Sequence, residues 1–100
     1  MQERTVPLRN SEGSGYVVPL GPVSLVWVIA PNGMVGCGAF DVQALEKFGY
    51  PAARVQAGAG SSIKTLEDLL SGIIREANPS AERYGVLTGM SGKEALDLLS

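Results

Sequence analysis

The sequence contains no histidine and a single cysteine, Cys37. One thiol cannot close an internal disulfide, so the fold is not stapled by oxidation. Histidine is the commonest metal ligand and the usual acid–base group near neutral pH. Its absence removes Ser-His and Cys-His dyads and most zinc sites. A general acid or base must come from Asp, Glu, Lys, Tyr or that one thiol, and the sequence calls for no metal and no cofactor. An excess of charge is missing too: 8 Lys+Arg against 10 Asp+Glu give a net charge of −2, and the charges are scattered. A nucleic-acid partner would ask for a basic face, and none is visible. The longest apolar run, VSLVWVIA (Val23–Ala30), is far short of a membrane span, so no membrane partner is expected. The polar N-terminus MQERTVPLRN is followed by no apolar export signal, and a soluble, cytoplasmic protein is the expectation.

What is present fits one domain over residues 1–100: 45% of the residues are apolar, enough for a small core, and oligomerisation commonly supplements a core of that size. Thr5–Leu8 reads as a short edge strand, since Pro7 suits an edge, and Asn10–Gly15 (NSEGSG) as a turn or loop. Tyr16–Leu20 is a second strand, closed by Gly21-Pro22. Val23–Ala30 has two faces, Val23, Leu25, Trp27, Ile29 and Ser24, Val26, Val28, Ala30, both nearly free of polar groups. A strand apolar on both faces is covered on both. In so small a domain helices can cover one side, and the other then needs more sheet or another subunit. Pro31-Asn32-Gly33 is a turn with the Asn-Gly pair typical of a tight hairpin, and Met34–Cys37 is the returning strand.

The pattern then changes. Asp41 caps a helix running to about Phe48, with Phe40 and Leu45 at staple positions, Gly49 as the left-handed residue after it and Pro51 blocking continuation. Arg54–Ala57 reads as a strand. Thr65 and Asp68 open TLEDLL as a capping-box pair, and Ile73–Glu76 is either a strand or the end of that helix. Asn78-Pro79 predicts a short helix to Tyr84 with Gly85 behind it. Ser91 and Glu94 match S-x-x-E and open a last helix, Gly92–Leu99, whose apolar stripe is Ala95, Leu96 and Leu99. The fold class is α+β: an N-terminal antiparallel meander (1–38, mainly β, the expected oligomerisation region), then alternating helices and strands (39–100), in two layers.

Three stretches could carry chemistry. Gly58–Thr65 (GAGSSIKT) is one letter from a phosphate-binding loop, but Ile63 stands where the second glycine should be, and a β-branched residue resists the backbone that wraps phosphate. A nucleotide hydrolase is not expected. Lys64 and Thr65, at a helix start, remain a secondary candidate for a small anion. Cys37 lies between Gly36 and Gly38 just before a helix, a setting that could activate a thiolate, although no histidine can serve as its base. The structural alternative is a buried thiol packed as a small apolar group. Gly89–Leu96 (GMSGKEAL) exposes N–H groups at a helix start beside Lys93, but Ser91 and Glu94 can satisfy those groups themselves.

Cys37–Val42 (CGAFDV) after an Asn-Gly hairpin, then Thr65–Leu70 (TLEDLL), then Gly89–Leu96 resemble the YunC-like family of small bacterial and archaeal proteins of unknown function, over roughly Val23 to the C-terminus. The resemblance implies an N-terminal β region used for tetramerisation and no established activity. The chain departs from the family pattern in a shorter helix after Asp41 and a longer Gly/Ser-rich loop at Gly58–Ser62. That insertion is what creates the near phosphate loop. The expected function is a homo-oligomeric binding or structural module, a tetramer through its N-terminal strands. Its ligand candidates are Cys37, Gly38, Asp41, Ser91, Gly92 and Lys93, with Lys93 and helix N–H groups holding an anion. The alternative is an enzyme using Cys37 as nucleophile, assisted by Lys93 or Glu94.

Overall fold

The computed structural model describes residues 1–57 and 62–100. The first four residues of the near phosphate loop lie outside them. Among the described residues the elements are β1 (Gln2–Pro7), β2 (Glu12–Pro19), β3 (Ser24–Ala30), β4 (Gly33–Gly36), α1 (Val42–Glu46), β5 (Ala52–Gln56), α2 (Leu66–Ser71), β6 (Ile73–Ala77), α3 (Pro79–Glu82) and α4 (Gly92–Leu99). The strands form one sheet in sequential order, β1 to β6. Neighbours are antiparallel except β4 and β5, which run parallel. A parallel pair needs a crossover of about a dozen residues or more, and the segment carrying α1 supplies it.

One face of the sheet packs on α2 and α4. Val26, Val28, Val35, Ala53, Val55 and Ile74 point into this core and meet Leu66, Leu69, Ala95, Leu96 and Leu99. The predicted stripe of the last helix, Ala95, Leu96 and Leu99, is fully buried. The opposite face carries a smaller cluster of Met34, Val42 and Ala52, flanked by Trp27, Phe40, Leu45 and Tyr50, where α1 lies over β4 and β5. The α+β, two-layer class holds, with α1 adding a partial third layer on that side.

Asn10–Gly15 is mostly strand rather than loop. The turn is confined to Leu8–Ser11, closed by the Leu8 N–H donating to the Ser11 carbonyl at 2.8 Å. Gly13 and Gly15 belong to β2 and face the core. A Cβ at Gly13 would lie 2.9 Å from Val28, and one at Gly15 2.7 Å from Leu66. These glycines let the core side of β2 be approached closely, by α2 in the case of Gly15; they do not bend the chain. The β3–β4 hairpin forms as expected, but neither Asn32 nor Gly33 has positive φ, so it is not the turn that Asn-Gly usually marks. A Cβ at Gly33 would overlap the Pro51 carbonyl. Gly33 is there because the start of β5 presses against it. Ile73–Ala77 is a strand: Gly72 leaves α2 with extended backbone and turns the chain directly into β6. Helices α1 and α3 end two residues earlier than the pattern predicts, in tight turns closed by Gly49 (φ 67°) and Gly85 (φ 91°), both left-handed.

Candidate functional site

The starts of β3 and β6 and the carboxyl ends of β4 and β5 share one end of the sheet. The turn leaving β4 is built on close contacts. A Cβ at Gly36 would overlap the Phe40 ring, which in turn meets Trp27 edge-on with centroids 5.6 Å apart. The Cys37 N–H donates to the Val26 carbonyl at 2.9 Å, and the Phe40 N–H donates to the Cys37 carbonyl at 3.2 Å. Asp41 caps α1, its carboxylate accepting from the Ala44 N–H at 3.0 Å. Cys37 is 6% exposed and packs into the main core, so it sits as a small apolar group.

At this same end lie two cavities, of about 570 and about 480 Å³, with Arg54, Gln56, Ala57 and Arg75 in the walls of both. Cys37 and Gly38 line the smaller, and Ile73 and Glu76 the larger. Arg54 projects from β5, and its Nε donates to Oε1 of Glu76 at 2.7 Å. The other oxygen of Glu76 accepts from Gln43 of α1 at 2.9 Å. The hydrogen bond from Arg54 and then that from Gln43 hold the Glu76 carboxyl below the ordinary carboxylate range. The Nη1 of Arg54 lies over Gly38: a Cβ on that glycine would stand 3.8 Å from it. Arg75 donates through Nη1 to Oε1 of Gln56 at 2.6 Å.

The other predicted site residues are placed differently. Asp41, Ser91, Gly92 and Lys93 line neither of these cavities among the described residues. Ser91 and Glu94 form a reciprocal cap on α4, with the Ser91 N–H donating to Glu94 at 3.1 Å and the Glu94 N–H to Ser91 Oγ at 3.1 Å. The Gly92 N–H donates to the Gly72 carbonyl at 2.9 Å, and a Cβ there would overlap the Leu69 carbonyl. Lys93 Nζ bonds both carboxylate oxygens of Asp97 at 2.8 Å. At the start of α2, Asp68 takes the N–H groups of Lys64 and Thr65 at 3.0 and 3.1 Å. Both helix starts therefore satisfy themselves with their own carboxylates. The structure brings Cys37 and Gly38 to the cleft and joins them to Arg54 and Arg75, which sequence reasoning did not single out. The available signal was an arginine inside each of two short apolar strands, AARVQ and IIREA. Among the described residues no three of His, Cys, Asp and Glu cluster as a metal site, and no helix is long and apolar enough to cross a membrane.

With this architecture in view, the chain belongs to the family of the domain of unknown function DUF1805, whose model matches residues 36–99. That match begins at the last residue of β4 and takes in the CGAFD turn, all four capped helices, and Arg54 and Arg75 of the cleft. Among its relatives is the uncharacterized protein YunC of Bacillus subtilis, 32% identical over 83 residues, which are 83% of this chain and 81% of that protein. The crystal structure of a protein of unknown function from Thermoplasma acidophilum superposes with a TM-score of 0.86 at 25% identity, over 99% of this chain and 92% of the other.

Proposed function

We propose that this protein is a self-assembling module, whose copies join through the outer face of β1–β3. The observation that carries this reading is a half-covered sheet. Pairing places Ser14 opposite Ile29, Tyr16 opposite Trp27 and Val18 opposite Leu25, all on the face away from α2 and α4. There α1 covers β4 and β5, while Tyr16, Val18, Leu25 and Trp27 remain half-buried and Ile29 is 41% exposed. Val26 and Val28, on the other face of the same strand, are fully buried. Tyr16 and Trp27 stack at 5.2 Å, which gives the bare area a flat, rigid centre. A second copy presenting the same face about a two-fold axis fits best, because such a contact is self-complementary and each copy then fills the layer the other lacks.

β1 adds a second element, since among the described residues it pairs only with β2 and leaves one edge of the sheet open. Joining two such dimers edge to edge would give the tetramer that the family resemblance implies. Ile29→Glu puts a charge into the face without touching the core of the protomer. The expected result is a fall in mass to that of one chain, with the far-ultraviolet spectrum unchanged. A variant whose assembly mass equals the wild type's would place the contact elsewhere.

A further inference from the structure

From the cleft at the end of β4, β5 and β6, we infer a binding site for a small organic acid, its carboxylate held by Arg54 and Arg75 and its short apolar body lying on Ile73 and Ala57. The residues named lie on β5, on β6 and just after β5, outside the β1–β3 face of the assembly proposed above.

Arg54 is set up for recognition before any ligand arrives. Glu76, itself held by Gln43, fixes its Nε edge, and its side chain is only 29% exposed. Among the described residues its two Nη groups donate to nothing, and Nη1 faces the space over Gly38. A guanidinium held on one edge offers the other as a planar fork, which matches a carboxylate in two-point contact. Arg75 enters the same cleft with one of its donors turned to Gln56. Two guanidinium groups lining one cleft repel each other, and Glu76 offsets only one of them. The cleft is left with one net positive charge, the balance a monoanion completes.

The rest of the lining selects the ligand's body. Ile73 is 49% exposed at the rim, and the larger cavity, about 570 Å³, lies within the range of small-molecule sites. A bare inorganic ion would leave that apolar wall wet, whereas a carboxylate with a few methylenes covers it.

The test titrates hexanoate and inorganic phosphate, separately, into the full-length ¹⁵N-labelled chain and follows the backbone amides. Saturable shifts at Gly38, Gln56, Ala57 and Ile73 are expected with hexanoate, and weaker binding with phosphate. Arg75→Gln, at an exposed residue, should weaken hexanoate about tenfold or more, the loss expected of a charged hydrogen bond. Arg54→Lys keeps the charge, and with it the partner of Glu76, but removes the fork. It should weaken binding as well and covers the case in which Arg75→Gln does not fold. No saturation with either probe overturns the site. So do shifts centred on Lys64 or Lys93, and unchanged affinity in the folded variants. Phosphate binding more tightly than hexanoate overturns the assignment to an organic acid.

Discussion

Asn78 ties three elements of this fold together through one side chain. It is fully buried, and its amide makes four hydrogen bonds. Oδ1 accepts from the N–H groups of Ala52 and Ala81, at 3.1 and 2.9 Å. Nδ2 donates to the carbonyls of Val42 and Tyr50, at 2.9 and 2.8 Å. One residue thus caps α3, anchors the start of β5 and ties in α1. Two acceptors on one side and two donors on the other leave the amide a single orientation. Its capping role follows from the Asn-Pro pair, but its reach to α1 and β5 does not, because those partners lie up to 36 residues away. Asn78→Ala should take the side-chain partner from three buried backbone groups and one part-buried one and lower stability by about 3 kcal/mol or more, read as a drop in the urea midpoint. A change below about 1 kcal/mol would mean that water replaces the amide there.

At the scale of elements, what was legible was what depends on neighbours in the chain. Asp41, Thr65, Asn78 and Ser91 all cap the helices expected of them, because a cap is settled within four residues. Gly49 and Gly85 close α1 and α3 for the same reason. The errors came where a distant element decides. Gly13 and Gly15 look like loop residues until Val28 and Leu66 are packed against them, and Gly33 like a hairpin glycine until Pro51 arrives. The candidate site was half legible. Cys37 and Gly38 do line a cleft, but Arg54 and Arg75 join them only through the pairing of β4, β5 and β6. Lys93, read as an anion holder, is tied to Asp97 one turn along its own helix.

The capping and pairing carboxylates also set the response to acid. The hydrogen bond from the Lys64 N–H, ahead of that from Thr65, holds Asp68 below its ordinary range. Arg54 does the same for Glu76, and Arg4 for Glu67. Burial pushes Asp97 up, but the hydrogen bonds from Lys93 and the Arg9 N–H together outweigh it, and the net shift is downward. A carboxyl whose folded pKa lies below its unfolded value, near 4, stabilises the fold fully above that value. The contribution is lost as pH falls through the folded pKa. The urea midpoint should therefore stay level, as far as these groups are concerned, above about pH 5 and fall steadily below about pH 4. Stability that held or rose between pH 4 and pH 2 would contradict these assignments.

The whole molecule is a sheet dressed unevenly. α2 and α4 bury one face, and α1 covers the β4–β5 part of the other, with Gln43 reaching Glu76 of β6. Val23–Ala30, apolar on both sides, announced this in the sequence, and the structure divides it into a buried row, Val26, Val28 and Ala30, and an outer row of Leu25, Trp27 and Ile29. Sequence could name the need for a cover but not which face lacked one, because that depends on where the helices dock. The central claim is that a second copy supplies the cover, and sedimentation equilibrium of the unmodified chain over a range of concentrations tests it most directly. The account predicts a mass that is a multiple of the 10.4 kDa chain, two-fold or four-fold. A single species of 10.4 kDa at every concentration would contradict it.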